Sequence, residues 1–288
     1  MLSTLKRLTL ATATLAFAAH ASAAELTLDV YNPGTAAIFP VSSVLVSGAK
    51  DAILVDAQFG KGQAEQLVQK IRASGKHLTT IYISHGDPDY YFGLDTLTAA
   101  FPDAKVLAPP PVVDHINATV AAKLEFWGPK MGADKPAKTI VPQVLQGASL
   151  SLEGQQLQVI GLDGPQPDRS FVWIPSIKAV VGGVVVAQNI HVWMADTQSA
   201  KSHKDWLATL QRIEQLNPRT VVPGHYLGTP TLEAVEFTAG YIQAFDDEAD
   251  KAKNAAELIA AMKKRYPTLA DESSLELSAK VAKGEMKW

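Results

Sequence analysis

The residues best suited to chemistry lie in one short segment, residues 85–93, which directly follows an apolar strand pattern. His85, Asp87 and Asp89 alternate in this segment, so an extended turn would bring their side chains to one point. Imidazole and carboxylate groups are common ligands of zinc, iron and manganese. The spacing therefore predicts a metal site, with Asp89 as a metal ligand or general base. The alternative is an aspartate-rich turn that caps a helix predicted over residues 94–100.

The elements around this segment explain how it would be positioned. Residues 81–83 are β-branched or aromatic and predict a buried strand, which Pro88 must end because proline lacks an amide hydrogen. Residues 60–74 carry apolar side chains at helical spacing and predict an amphipathic helix. Strands and helices follow one another along the chain in this way, which indicates a layered α/β fold.

The segment resembles the first signature of the metallo-β-lactamase superfamily, which usually reads His-x-His-x-Asp-His after an apolar strand. Here it reads His85-x-Asp87-x-Asp89-Tyr90, so two of the four ligand positions differ. A second match is His225, which follows a Val-Pro-Gly run as the closing histidine of that family does. The resemblance covers most of the chain and implies a four-layer αββα sandwich. It also implies a metal centre built from His85, Asp87, Asp89 and His225.

Two further positions depart from the family pattern. Pro165 stands where the family has a histidine, and Val184 stands where it has a carboxylate that bridges two metals. Asp168 either reaches into the site from the altered turn or simply forms the turn and pairs with Arg169. The chain is therefore expected to hold at most one divalent metal, with zinc as the first choice and iron or manganese as alternatives.

Two functions follow from the resemblance. The first is an exported, metal-dependent hydrolase that acts on a small ester, lactone or amide. The second is a member of the family that lost its catalytic metal and binds a ligand or partner. Motifs for a serine hydrolase, a P-loop or a dinucleotide site are missing from the sequence.

Other side chains are candidates for the walls of a substrate pocket. They are Tyr90, His191, Trp193 and Trp127. A structural role is the alternative for His191, and Trp127 would fill the core beneath a loop predicted over residues 127–138. The remaining histidines of the mature chain, His77, His115 and His203, are expected on the surface.

The first 23 residues differ in composition from the rest of the chain. Lys6 and Arg7 precede an apolar run over residues 8–19, and Ala21-Ser22-Ala23 fits a cleavage site, so residues 1–23 predict a secretory signal peptide. A membrane anchor is the alternative, but the run is shorter than the roughly 20 residues that a spanning helix needs. Residues 24–288 are then a metallo-β-lactamase-like domain with a helical C-terminal extension, located in the periplasm or outside the cell.

Composition limits the partners of the mature domain. It carries 24 basic and 29 acidic residues, a net charge of −5, which gives no electrostatic basis for binding nucleic acid or anionic lipid. The chain has no cysteine, which excludes disulfides, cysteine nucleophiles and thiolate zinc sites. A small-molecule substrate is the expected partner. The sequence predicts neither membrane attachment after signal cleavage nor any particular oligomeric state.

Overall fold

A computed structural model of the chain describes residues 25–288. The predicted signal peptide, residues 1–23, lies outside the described residues. The strands are β1 (Thr27–Tyr31), β2 (Ser43–Ser47), β3 (Asp51–Val55), β4 (His77–Tyr82), β5 (Lys105–Ala108), β6 (Gln143–Val144), β7 (Ser149–Leu152), β8 (Gln155–Ile160), β9 (Phe171–Ile174), β10 (Ala179–Val181), β11 (Ala187–Gln188), β12 (Thr220–Val221) and β13 (His225–Tyr226). The helices are α1 (Lys61–Ser74), α2 (Pro88–Tyr91), α3 (Leu94–Ala100), α4 (Pro110–Met131), α5 (Ala200–Gln215), α6 (Ala234–Lys251), α7 (Ala255–Arg265) and α8 (Glu272–Ala282).

The strands form two larger sheets and one small pair. The first sheet has the order β1-β2-β3-β4-β5-β6, and the second has the order β12-β10-β9-β8-β7. In the first sheet β2 pairs antiparallel with both β1 and β3. Strands β3, β4, β5 and β6 run parallel to one another. The short strands β11 and β13 pair in parallel beside the second sheet, with Ala187 opposite His225. Parallel strands end at the same edge, so the loops after them meet there.

Three hydrophobic clusters separate four layers. The inner cluster lies between the sheets and contains Val44, Ile53 and Tyr82 from the first sheet with Val159 and Val172 from the second. A second cluster packs α1, α3 and α4 on the outer face of the first sheet. A third packs α5 to α8 on the outer face of the second sheet. The predicted four-layer αββα sandwich is confirmed.

Two predicted boundaries are wrong. The sequence predicts a loop over residues 127–138, but α4 continues to Met131, which is buried in the cluster on the outer face of the first sheet, although Pro129 inside the helix removes one amide hydrogen bond. The apolar run over residues 179–186 predicts one strand, but β10 stops at Val181, because Gly182 and Gly183 adopt positive φ angles of 67° and 80°. The end of β10 at these two glycines turns the backbone toward Ser84, next to His85.

The C-terminal part of the chain is helical, as predicted. Helices α6, α7 and α8 follow β13 and cover the second sheet together with α5. Among residues 25–288, no helix combines the length and the apolar character that crossing a membrane requires.

Candidate functional site

The His85 segment is held at the end of β4, where strand geometry gives way to a rigid turn. β4 ends at Tyr82, and α2 begins at Pro88, whose missing amide hydrogen costs nothing in the first helical turn. His85 and Asp89 are each 5% exposed, so the fold buries two polar side chains here. His225 enters from β13, and its side chain is 19% exposed. The predicted motifs therefore meet at one partly solvent-accessible place, which we call the candidate site.

His225 forms a charged pair with Asp89. Nε2 of His225 lies 2.7 Å from Oδ2 of Asp89, and Nδ1 lies 3.2 Å from the hydroxyl oxygen of Tyr90. Burial alone would lower the pKa of His225, but the hydrogen bond and charge of Asp89 outweigh burial and raise it. Burial and the charge of Asp89 raise the pKa of Tyr90 well above its usual value, so the phenol stays protonated. Both ring nitrogens of His225 are therefore engaged.

Asp87 belongs to a separate cluster that contains Lys123 from α4. The Lys123 ammonium donates to Oδ1 of Asp87 and lies 3.1 Å from Nε2 of His115. Nδ1 of His85 lies 3.4 Å from Oδ2 of Asp87. Burial lowers the pKa of His85 to about 3 despite the Asp87 carboxylate, so His85 is neutral near pH 7. Burial would raise the pKa of Asp87, but the neighbouring positive charges hold it well below its usual range, and Lys123 is the charge that persists at pH 7.

A buried hydrogen-bond network fixes the backbone beneath His85. Oδ1 of Asp56 accepts from the Ser84 amide at 2.8 Å, and Oδ2 accepts from the Ser84 hydroxyl at 2.6 Å. The amide of Gly183 donates to the same hydroxyl at 2.7 Å, which joins the two sheets. Asp56 adopts a positive φ of 66°, a left-handed conformation that is uncommon for residues other than glycine. Burial raises the pKa of Asp56 to about 7.

Arg169 adds a buried positive charge next to this network. It is 5% exposed, and its guanidinium carbon lies 4.2 Å from the centroid of the Trp206 ring. Its atoms Nε and Nη2 have no hydrogen-bond partner among residues 25–288. The following residue, Ser170, packs its carbonyl so closely against Gly183 that a Cβ there would approach it to 2.2 Å. The charge of Arg169 acts on His85 and Tyr90, so Arg169 borders the candidate site.

The predicted metal ligands do not form one donor set. His85 and Asp87 contact the Lys123 ammonium cluster, whereas Asp89 and His225 contact each other. Among residues 25–288, no group of three or more histidine, aspartate or glutamate side chains is arranged to hold a metal ion. Each acidic partner is already neutralised by a protein cation. The residues present therefore do not fit a resident divalent metal in this arrangement.

The predicted pocket residues have different positions. Tyr90 lies in the candidate site, but it is fully buried. Trp193 borders it: its indole donates to Asp196 at 2.7 Å, and Asp196 interacts electrostatically with Arg169 and Asp87. Trp127 packs against Phe39 and Phe59, which supports the alternative that it fills the core.

Two histidines occupy core positions instead of functional or surface ones. His191 is 1% exposed, and its Nδ1 lies 3.0 Å from the Tyr241 hydroxyl of α6, so it has the structural role that was its alternative. His203 was expected on the surface, but it is buried between Asp246 and the carbonyl of Thr197. His77 is exposed, as predicted.

Sequence reasoning missed three residues of the candidate site. His115 was expected on the surface and Lys123 was not considered, although they lie eight positions apart on α4 and therefore share one face of that helix. Arg169 was expected only as a partner of Asp168; the structure shows no close ion pair between them, although the charge of Asp168 acts on Arg169. The available signal was the polar series His115, Thr119 and Lys123, spaced four residues apart on α4. That series does not reveal which loop it faces.

Comparison with known proteins identifies the family. A family profile described as the metallo-beta-lactamase superfamily matches residues 37–225. The chain is 22% identical over 217 residues to the Beta-lactamase-like protein 2 homolog of Caenorhabditis elegans, which covers 74% of this chain and 64% of that protein. It is 37% identical over 71 residues to the uncharacterized protein YobT of Bacillus subtilis (strain 168), which covers 25% of this chain and 30% of that one. The chain thus spans less than two thirds of either curated relative.

Solved structures agree on the fold. A metallo-beta-lactamase family protein from Thermus thermophilus superposes with a TM-score of 0.59 at 19% identity and covers 88% of this chain and 94% of its own. A metallo-beta-lactamase from Pontibacter korlensis gives a TM-score of 0.51 at 21% identity, with 76% and 95% covered. The profile match, the two signatures at the candidate site and the four-layer fold together show that this chain belongs to the metallo-beta-lactamase superfamily.

Proposed function

We propose that the protein binds a small anionic molecule at the candidate site and does so without a resident divalent metal. This is the second of the two functions predicted from the sequence, a family member with a ligand-binding role. The support is that the four predicted metal ligands lie in two separate pairs. Lys123 pairs with Asp87 of the first, and in the second His225 pairs with Asp89. A small-molecule partner remains the expectation for a mildly acidic protein with no basic surface excess.

The observation that carries the proposal is the free edge of Arg169. Nε and Nη2 are parallel donors on one side of the guanidinium, and neither has a partner among the described residues. That edge matches two oxygens of a carboxylate or phosphate in a bidentate contact. A buried charge with unused donors is costly, whereas an anion at this edge would supply both hydrogen bonds and the opposite charge.

Binding requires a local movement. Both unpartnered nitrogens lie beneath the molecular surface, so a side chain beside Arg169 must shift before an anion reaches them. The stacking of the guanidinium on Trp206 keeps its plane fixed while the cover moves. Such a step slows association below the rate of an open site.

The test is calorimetric titration of the metal-free protein with acetate, succinate, benzoate and inorganic phosphate. We expect at least one of these probes to bind. We expect Arg169→Lys to weaken it by at least about tenfold, because lysine keeps the charge but loses the parallel donors. Arg212→Lys is the matched control, since Arg212 is half exposed and pairs with Asp163 on the surface. Absence of binding for every probe, or equal binding by Arg169→Lys, would refute the proposal.

A second candidate function, hydrolysis of a small ester, lactone or amide, is favoured by the Asp89–His225 pair. Its 2.7 Å contact places a carboxylate and an imidazolium together beside solvent. In this scheme Asp89 takes a proton from the attacking water, and His225 protonates the leaving oxygen or nitrogen. The proton on Asp89 then returns to His225, so the pair is regenerated. No step in this scheme uses a metal.

Hydrolysis is tested with a panel of nitrophenyl esters, lactones and anilides in chelator-treated buffer. We expect activity, if this function holds, to survive chelation and to be lost in Asp89→Asn while the circular dichroism spectrum is unchanged. Activity that needs added zinc, iron or manganese would instead support the metal-dependent hydrolase predicted from the sequence. Inactivity on the whole panel would leave binding as the function.

We also infer export to the periplasm or the medium. The support is the combination of Lys6 and Arg7, the apolar run over residues 8–19 and the Ala21-Ser22-Ala23 sequence. N-terminal sequencing of the expressed protein should begin at Ala24 or close to it. Recovery of chains that retain Met1 in the membrane fraction would overturn this inference.

A further inference from the structure

Three aromatic side chains from different parts of the chain meet beside the candidate site. They are Phe126 of α4, Trp193 in the segment after β11 and Trp288 after α8. The ring centroids of Trp193 and Trp288 lie 5.1 Å apart at an interplanar angle of 70°, and those of Phe126 and Trp288 lie 6.2 Å apart at 86°. Phe126 is 41% exposed and Trp288 is 43% exposed, so ring surface stays open to a ligand. We call these three side chains the aromatic wall.

Polar contacts fix the rings of the aromatic wall in place. Oδ2 of Asp196 accepts from Nε1 of Trp193 at 2.7 Å, and Oδ1 accepts from Nε1 of Trp288 at 2.6 Å. The Lys130 ammonium lies 3.5 Å from the centroid of the Phe126 ring and covers part of it. Rings that are already held in position lose little conformational freedom when a ligand packs on them.

Two relationships connect the aromatic wall with the candidate site. Phe126 follows Lys123 by three positions on α4, and side chains with this spacing are neighbours on a helix surface. Asp196 exerts the largest electrostatic effect of any described side chain on Arg169. Because such effects fall with distance, the carboxylate that holds both indoles lies beside Arg169. An anion at Arg169 would therefore have aromatic surface next to it.

Charge alone would hold a small anion weakly at this place. Asp87 already pairs with Lys123, and the carboxylate of Asp196 would repel an anion that binds Arg169. An apolar group on the ligand supplies favourable free energy without adding to this repulsion. Exposed apolar surface rimmed by charged side chains is typical of a ligand-binding groove. The ligand is thus expected to combine one negative charge with an apolar part.

We propose that the candidate site takes an aromatic carboxylate, whose carboxylate contacts Arg169 and whose ring packs on the aromatic wall. This inference rests on the proposed function and names the class of anion that the site binds. Aromatic rings prefer offset-stacked or edge-to-face contacts with other rings, which a saturated ring of similar size cannot make. The flat ring of the ligand therefore determines specificity.

The experiment compares matched pairs of acids by calorimetric titration of the metal-free protein. The pairs are benzoate with cyclohexanecarboxylate and phenylacetate with cyclohexylacetate, so that charge is equal, size is similar and only the flat ring differs. We expect the aromatic member of at least one pair to bind about three- to tenfold more tightly than its saturated partner. That factor corresponds to the free energy that an aromatic contact adds beyond the buried area.

Substitutions in the aromatic wall locate the preference. Phe126→Leu and Trp288→Leu should each reduce the ratio of the two affinities toward one, because leucine is apolar but has no ring. Trp288→Phe should keep most of the ratio. A merely structural effect would instead weaken both members of a pair equally. Both positions are half-exposed, so the variants should stay folded, which circular dichroism checks.

Phe101→Leu is the matched control. The Phe101 ring also has a cation over it, since the guanidinium carbon of Arg72 lies 6.0 Å from its centroid. Phe101 precedes β5, whereas the candidate site follows the parallel strand β4, so the two lie at opposite edges of the sheet. This variant should keep the wild-type ratio for both pairs of acids.

The possible outcomes separate this inference from the proposed function. Equal affinities within both pairs would overturn the inference and leave anion binding by Arg169 in place. A ratio that is unchanged in both Phe126→Leu and Trp288→Leu would also overturn it, because the preference would then arise elsewhere. Absence of binding by all four acids and by acetate, succinate and phosphate would refute the proposed function together with this inference.

Discussion

Oδ2 of Asp89 and Nε2 of His225 lie 2.7 Å apart, although 136 residues separate them in the chain. One residue belongs to the turn after β4 and the other to the short strand beside the second sheet. Their contact closes the candidate site across the sandwich. It also gives two side chains that the family resemblance predicts as metal ligands a hydrogen-bond partner within the protein.

Asp89→Asn should lower the pKa of His225 below its usual value, because burial remains while the opposing charge is lost. With Asp89 present, the pKa of His225 is raised on folding, so the pair stabilises the protein below pH 6.5 and this contribution is lost as pH rises through the folded pKa. Asp89→Asn should therefore flatten the stability profile above pH 6.5. NMR titration of the imidazole measures the shift, and an unchanged pKa would contradict it.

Treatment of the wild-type protein with a chelator should leave its melting temperature and anion affinity unchanged. The reason is that Asp87 is already neutralised by Lys123 and Asp89 by His225. Elemental analysis of protein purified without added metal should find well under one equivalent of zinc, iron or manganese. One tightly bound equivalent in the wild type would restore the single-metal prediction made from the sequence.

Asp56→Asn should reduce the pH dependence of stability between pH 4 and pH 7. Burial raises the pKa of Asp56 from 3.8 to about 7, so the folded protein holds a proton that the unfolded chain releases, and stability falls as pH rises across this window. At about 1.4 kcal/mol per pKa unit, this group changes the unfolding free energy by up to about 4 kcal/mol. Urea unfolding at both pH values tests this, with the exposed Asp103→Asn as a control that should keep the wild-type slope.

His203→Ala should lower the free energy of unfolding by about 2–4 kcal/mol without changing ligand affinity. The imidazole is buried and lies 2.6 Å from Asp246 and 2.5 Å from the carbonyl oxygen of Thr197, so truncation leaves both acceptors without this partner. His77→Ala is the matched control and should change stability by less than about 0.5 kcal/mol, because His77 is exposed. Similar effects of the two substitutions in urea unfolding would show that His203 has no structural role.

Gly224→Ala should destabilise the protein by more than about 2 kcal/mol, since a Cβ there would lie 2.2 Å from the Gly183 carbonyl oxygen and 2.8 Å from the Tyr90 hydroxyl. The backbone atom cannot move aside without breaking the contact between the sheets. Gly240→Ala lies inside α6 with nothing within 4 Å of its added Cβ, and it should stabilise the helix by up to about 1 kcal/mol. Thermal unfolding of both variants gives the comparison, and a neutral Gly224→Ala would show that the sheets can separate there.

Local patterns in the sequence determined much of the fold. Helix α3 begins and ends where the sequence predicted, and α1 begins within one residue of the prediction and ends with it, because residue periodicity and the glycine after α1 act over short distances. The motif around His85 and the Pro-Gly-His sequence at His225 also predicted that these residues belong together. The family and its four-layer architecture followed from the same motifs and are confirmed.

Only the tertiary structure decided the charges of the candidate site. Lys123 and His115 reach Asp87 because α4 packs against the first sheet in one particular orientation. Arg169, in the turn before β9, acts on the same residues through its charge. These contacts join side chains that are far apart in sequence, and their energies depend on burial and distance. No periodicity or propensity of a single segment carries that information.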